Sequence, residues 1–175
     1  MSTLSVNTIQ AQTGTTVTVP TGQTFTAPGM IVGAQVSQIT ANSSRGNAQA
    51  FDDDLVFTNY TPKLTTSTVI IQGVANFDSS NSAYCYYKWV INGANFFSTG
   101  VSSPISTHTF YSNTSLNNLG FMPSTIITSV SNTDGSAITV KCQGKTNTGT
   151  LFRNRSHNAD QTGSPSSVLY LEVAP

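Results

Sequence analysis

The sequence predicts an all-β fold, an antiparallel β-sandwich of jelly-roll-like form behind an extended N-terminal segment. Three observations carry this. Charged residues are only 8% of the 175-residue chain, against roughly 25% in an ordinary soluble domain, and Glu172 is the single glutamate. A helical protein would need Glu and Lys on its solvent faces. Ser, Thr, Asn and Gln number 23, 27, 15 and 9, so hydroxyls and amides, not ions, keep the chain in water. Finally, short runs of Thr, Val, Ile, Phe and Tyr, which favour strands, alternate with clusters of Asn, Ser, Gly and Pro.

Residues 1–30 form the first part. They carry no charged side chain and only a thin apolar scatter (Leu4, Val6, Ile9, Val17, Val19 and Phe25). So polar a segment cannot bury enough surface to hold itself together. It is expected to order against copies of itself or a larger partner, as an anchor or a short stem. The alternative is a disordered tail. Residues 31–175 form the second part, the sandwich. Strands are predicted over 31–39, 48–58, 65–77, 84–92, 105–111, 124–130, 137–143, 149–155 and 167–173. Turn chemistry separates them at Asn42-Ser43-Ser44, Asp78-Ser79-Ser80-Asn81, Asn92-Gly93, Asn132-Thr133-Asp134-Gly135 and Gly163-Ser164-Pro165. Asp134-Gly135 is predicted to close a tight hairpin between 126–130 and 138–142.

Side chains alternate along a strand, so one solvent-facing charge orients the rest. Lys141 facing out places Ile138, Val140 and Cys142 inside. Lys88 facing out places Cys85, Tyr87, Trp89 and Ile91 inside, and leaves Tyr84, Tyr86 and Val90 on the outer face. Glu172 facing out would place Leu169, Leu171 and Val173 inside, with Val168 and Tyr170 outside. The outward set Tyr84, Tyr86, Val90, Val168 and Tyr170 is therefore the candidate subunit interface, since a monomer seldom exposes such a patch. Low charge favours self-association, because few ions have to be buried.

The formal net charge is zero, which argues against nucleic-acid binding, a function that needs a basic patch. No apolar run approaches the ~18 residues of a membrane span, so membrane insertion is not expected. The first charged side chain is Arg45, and the start lacks the basic region of a secretory signal. His108 and His157 have no His, Cys or Glu at metal-ligand spacing, and no G-x-S-x-G or H-E-x-x-H motif occurs. No catalytic residue, cofactor or metal site is assigned, and an enzyme is not expected. Asp52-Asp53-Asp54 is read as a charge cluster guarding a strand edge, with a cation site as the alternative. Cys85 and Cys142 are expected to be reduced, or bridged if their strands adjoin across the core. Four Asn-x-Ser/Thr sequons, at Asn42, Asn59, Asn113 and Asn154, match what the composition yields by chance and are not read as glycosylation sites. Asn95, Phe96, Phe97, Tyr111 and Asn113 are candidate receptor-loop residues, because aromatics among amides and hydroxyls stack on sugar rings. The alternative is strand ends whose aromatics cap the sandwich. Arg153 and Arg155 share a face if extended, and are expected to meet a carboxylate on a neighbouring subunit, with an acidic glycan as the alternative.

The stretches Leu4-Ser5-Val6-Asn7-Thr8-Ile9-Gln10 and Gly14-Thr15-Thr16-Val17-Thr18-Val19-Pro20 resemble the amino-terminal segments of tailed-bacteriophage fibre and virion structural proteins, especially those of marine and cyanobacterial phages. Ala27-Pro28-Gly29-Met30-Ile31-Val32 is similar to their junction into a distal β domain. Tyr60-Thr61-Pro62-Lys63 leading into Ser67-Thr68-Val69-Ile70-Ile71 resembles a fibre-tip pattern. Leu151-Phe152-Arg153-Asn154-Arg155-Ser156 and Ser167-Val168-Leu169-Tyr170-Leu171-Glu172-Val173 resemble the closing strands. The resemblance implies a homotrimeric, jelly-roll-like distal knob on a short stem, located on the phage particle surface. It implies a non-enzymatic role in virion architecture and host-surface attachment. The implied partners are other copies of the chain, other virion proteins through residues 1–30, and a host-surface glycan. The alternatives are a head or tail decoration protein without receptor binding, and a carbohydrate-binding β-sandwich module.

Overall fold

The computed structural model describes residues 25–79, 84–96, 110–111, 122–154 and 164–175, with the backbone alone at 84–85, 110–111 and 122–124. The described residues contain eleven strands and no helix: β1 (Ile31–Ile39), β2 (Ser43–Gly46), β3 (Asp52–Val56), β4 (Ser67–Ser79), β5 (Tyr84–Ile91), β6 (Ala94–Asn95), β7 (Phe110–Tyr111), β8 (Met122–Asn132), β9 (Val140–Thr146), β10 (Thr150–Arg153) and β11 (Ser166–Val173). All pairings are antiparallel and fall into two sheets. In the first, β1 pairs β11, β11 pairs β4 and β4 pairs β8, while β10 and β2 extend the β11 side of β4. The second runs β3-β9-β5, and β5 takes β6 and β7 on its other edge.

The pairs nest. β1 meets β11, β3 meets β9, β4 meets β8 and β5 meets β7, so the chain behaves as one long hairpin rolled onto itself. That nesting is the jelly-roll arrangement of two face-to-face sheets, and the fold is an antiparallel β-sandwich of that form. The backbone order of the first sheet begins earlier than β1. The Gly29 N–H donates to the Ala174 carbonyl at 3.0 Å, and the Ala174 N–H to Met30 at 2.8 Å.

Alternation builds the core. In β4, Val69, Ile71, Ala75 and Phe77 point inward and are fully buried. They face Tyr87, Trp89 and Ile91 of β5 and Val140 and Cys142 of β9. The inward sets read from Lys88 and Lys141 are therefore observed, apart from Cys85, whose side chain is outside the described residues. Phe57 stacks on Trp89 at 5.9 Å between centroids, and Phe77 on Tyr87 at 4.8 Å. Gly73 lets the first sheet approach the Trp89 indole of the second closely. A Cβ there would lie 2.8 Å from Cη2 of Trp89 and 2.9 Å from Cγ2 of Ile126.

Two expectations are corrected here. Asp134-Gly135 does form a turn, with Gly135 at φ 75°, its N–H donating to Asn132 Oδ1 and that of Ser136 to Asp134 Oδ1, both at 2.8 Å. It does not close a hairpin. β8 belongs to the first sheet and β9 to the second, so this segment is a corner between layers. The hairpin instead follows β5. Asn92 and Gly93, at φ 49° and 78°, link it to β6 with Ile91 opposite Ala94, as a two-residue turn with both φ positive requires.

The second correction concerns β11. Val168, Tyr170 and Glu172 are completely buried, and Leu169, Leu171 and Val173 occupy the outer face. The prediction assumed that the one glutamate must meet water. Its carboxylate instead accepts from the Tyr60 hydroxyl at 2.8 Å and the Lys63 N–H at 2.7 Å on Oε2, and from the Leu64 N–H at 3.0 Å on Oε1. A buried charge with its lone pairs satisfied is tolerated. Burial pushes the carboxyl's pKa up, but the bonds from Lys63, Leu64, Ser67 and Tyr60 outweigh it, and the net direction is down.

Candidate functional site

The residues expected to form one subunit interface lie on two different sheets and face different ways. Val168 and Tyr170 are core residues. Tyr170 stacks on Tyr60 at 5.4 Å, donates from its hydroxyl to the Thr58 carbonyl at 3.2 Å, and has its pKa pushed up to about 12 by burial. Neither residue is available to a partner. On β5, Val90 does face outward but is only 7% exposed, and Tyr86 is half-buried beneath Lys145. The side chain of Tyr84 lies outside the described residues.

The inversion of β11 uncovers a different surface. The register aligns Val36, Leu169, Gln72 and Ile127 in one row across the first sheet, and Ala34, Leu171, Ile70 and Ser129 in the next. Gln38, Ser167, Val74 and Thr125 form the next row on one side, and Ile31, Val173, Thr68 and Ser131 that on the other. Val36 is 67% exposed, Ile127 74% and Ile70 37%. No side chain in these rows is ionised at any ordinary pH. An ion-free face of exposed aliphatic side chains interspersed with hydroxyls and amides has the composition of a protein–protein contact. Sequence reasoning missed it, although Val69-Ile70-Ile71 and Ile126-Ile127 carried the signal. Adjacent apolar residues in a strand send one side chain to each face.

The outer face of the second sheet has the opposite character. β9 contributes Lys141, Gln143 and Lys145, and β5 contributes Tyr86, Lys88 and Val90, in register as Tyr86 with Lys145, Lys88 with Gln143 and Val90 with Lys141. Asp53 of β3 accepts from Lys141 Nζ at 2.5 Å and from Gln143 Nε2 at 2.6 Å, and these bonds, Gln143's first, lower its pKa. Lys88 and Lys145 place their ammonium nitrogens 4.8 and 4.9 Å from the centre of the Phe51 ring, and Lys145 lies 5.1 Å from that of Tyr86.

The three aspartates do not converge. A bulge between Asp53 and Leu55 lets Asp54 and Leu55 both turn inward. The Asp54 carboxylate takes Arg45 in a two-pronged pair at 3.0 and 2.8 Å, the Gly144 N–H at 3.0 Å, and Arg153 Nη1 at 3.5 Å. Arg153 therefore pairs within its own subunit, not across one as expected, while Arg155 is outside the described residues. Among the described residues no three His, Cys, Asp or Glu side chains lie close enough to hold a metal. Both histidines, His108 and His157, fall outside them.

The candidate receptor residues are not brought together. Asn95 is exposed on β6, opposite Val90, whereas Tyr111 lies on β7, opposite Tyr84. Six residues of β5 separate these positions, about 20 Å at the rise of a strand. Phe96 turns back against the core. Phe97 and Asn113 are outside the described residues, as is the Tyr111 side chain. The cysteines sit on adjacent strands, but Cys85 is opposite Thr146 and Cys142 opposite Trp89. That four-residue offset is about 13 Å, far beyond disulfide reach. Cys142 is a free, buried thiol whose pKa burial, with Asp54 nearby, drives well up.

The chain is thus a jelly-roll sandwich with one uncharged apolar outer face and one cationic, aromatic outer face. No protein-family model matches it, and no curated protein matches its sequence.

Proposed function

We propose that the chain is a non-enzymatic structural protein of a tailed-phage virion, a homotrimeric fibre tip or knob that contributes to host-surface attachment. Residues 1–30 join it to the rest of the particle. The observation that supports self-association is the ion-free apolar face around Val36, Ile70, Ile127, Leu169 and Leu171. Completing the burial of these half-exposed side chains is worth roughly 1 kcal/mol each. Summed over the copies that meet there, this is of the size of the cost of losing free tumbling, so the face supports self-association, and the trimeric state rests on the resemblance to fibre proteins. The virion assignment rests on the resemblance of residues 1–30 and the closing strands to phage fibre proteins.

Sedimentation velocity tests the assembly. The expected species has three times the 18.5 kDa chain mass, and Ile127→Asp converts it to a folded monomer. A wild-type monomer at micromolar concentration overturns the trimer. Antibody labelling of purified particles tests the location. Label at the tail tip is expected, label on the head alone favours a decoration protein, and unlabelled particles overturn the virion reading.

A further inference from the structure

We propose that the outward face of the second sheet is a binding site for an acidic saccharide, with Lys88 and Lys145, held in place by Phe51 and Tyr86, taking its anionic substituent. The chain has four lysines, and three of them share this face. Lys141 is neutralised by Asp53. Lys88 and Lys145 have no carboxylate within ion-pair distance among the described residues, and Asp53, already bonded to Gln143 and Lys141, feels Lys88 only at longer range.

These two ammonium groups are nevertheless drawn together over one ring. Their separation is at most the sum of the two ring distances, about one Debye length at physiological ionic strength, so they repel. Unpaired lysines on an ordinary surface are free to splay apart into water. Here the π faces of Phe51 and Tyr86 hold them over the sheet, which leaves a preorganised cationic spot beside aromatic carbon. Carboxylate, sulfate or phosphate between two ammoniums makes charge-assisted bonds. The hydroxyls of the sugar that carries the anion reach Gln143 and the lysines. Nucleic acid fits less well, because two unpaired cations on a chain of zero net charge neutralise too few phosphates.

The inference deepens the attachment reading by naming a ligand class, but does not depend on the trimer. The test is calorimetry on the full chain with a sulfated, carboxylated hexasaccharide. The controls are its desulfated, carboxyl-reduced counterpart and a twelve-base-pair DNA duplex. The acidic sugar is expected to bind at least tenfold more tightly than either, and less tightly as salt rises. Lys88→Gln with Lys145→Gln should weaken it at least tenfold with the melting temperature unchanged, while Lys63→Gln, at the fourth lysine, leaves it intact. No binding at millimolar sugar, equal binding of the neutral sugar, an unaffected double variant, or DNA bound as tightly each overturns the proposal. A monomer that binds the acidic sugar keeps it and discards only the trimer.

Discussion

Glu172→Gln isolates the least ordinary feature of this core. The native carboxylate is fully buried and receives the Tyr60 hydroxyl, the Lys63 and Leu64 N–H groups and the Ser67 hydroxyl. An amide keeps one acceptor oxygen and replaces the other with a donor. With its oxygen toward Tyr60 and Lys63, its NH₂ confronts the Leu64 N–H. One buried donor is then unsatisfied, at about 1–3 kcal/mol, and two charge-assisted bonds become neutral, at roughly 1 kcal/mol together after relief of the buried charge. The expected loss is about 3 kcal/mol, or a fall of about 9 °C in melting temperature for a domain of this size.

Urea denaturation at neutral pH measures that loss, with Tyr60→Phe alongside at about 1 kcal/mol, since it removes one donor and leaves the others. The same series followed with pH gives a second readout. The folded carboxyl has a lowered pKa, so the folded state holds fewer protons than the unfolded one in the acid range. Its stabilisation is complete above the unfolded value of about 4.3 and is lost as pH falls through the lower folded value. Glu172→Gln should therefore flatten the acid limb of the stability curve. A variant as stable as wild type at pH 7, with the same acid limb, would falsify the account of why β11 faces inward.

Gly73→Ala should cost about 2 kcal/mol through overpacking against Trp89 and Ile126, with a shift in Trp89 emission; an unchanged denaturation midpoint refutes the close approach of the sheets. Asp54→Asn should cost about 3 kcal/mol, at the low end for a broken buried pair because Arg45 and Arg153 remain 24% and 21% exposed; the check is the midpoint in urea, and a change within error refutes the clamp. In a Cys85→Ser background, Cys142 should ignore a thiol reagent at pH 8 until the chain unfolds, because burial suppresses its thiolate; prompt labelling of the native protein refutes the burial.

Much of the sandwich was legible in the residues themselves. Lys88 and Lys141 oriented β5 and β9 correctly, because neither has an acceptor in the core: Lys88 stays toward water and Lys141 meets Asp53 on the outer face, and alternation then places their neighbours. Asn92-Gly93 marked the turn after β5, where both residues take positive φ; that it closes a hairpin onto β6 is a finding of the structure. Strand β2 was read as a turn, since Ser43-Ser44 has no apolar residue to mark it. It forms because the β10 edge supplies its ladder from Gly46 to Ser43.

What the sequence determined alone was composition and local pattern: an all-β chain, low in charge, with strands where β-branched and aromatic residues recur. These follow from properties each residue carries wherever it lies. What the tertiary structure decided was which face each strand buries and which residues meet. Glu172 turns inward because donors 108–112 residues away converge on it, and Asp54 because Arg45 and Arg153 do. Whether a carboxylate seeks water depends on partners that only folding assembles. The reversal of β11 that followed moved the apolar face from one set of side chains to the other.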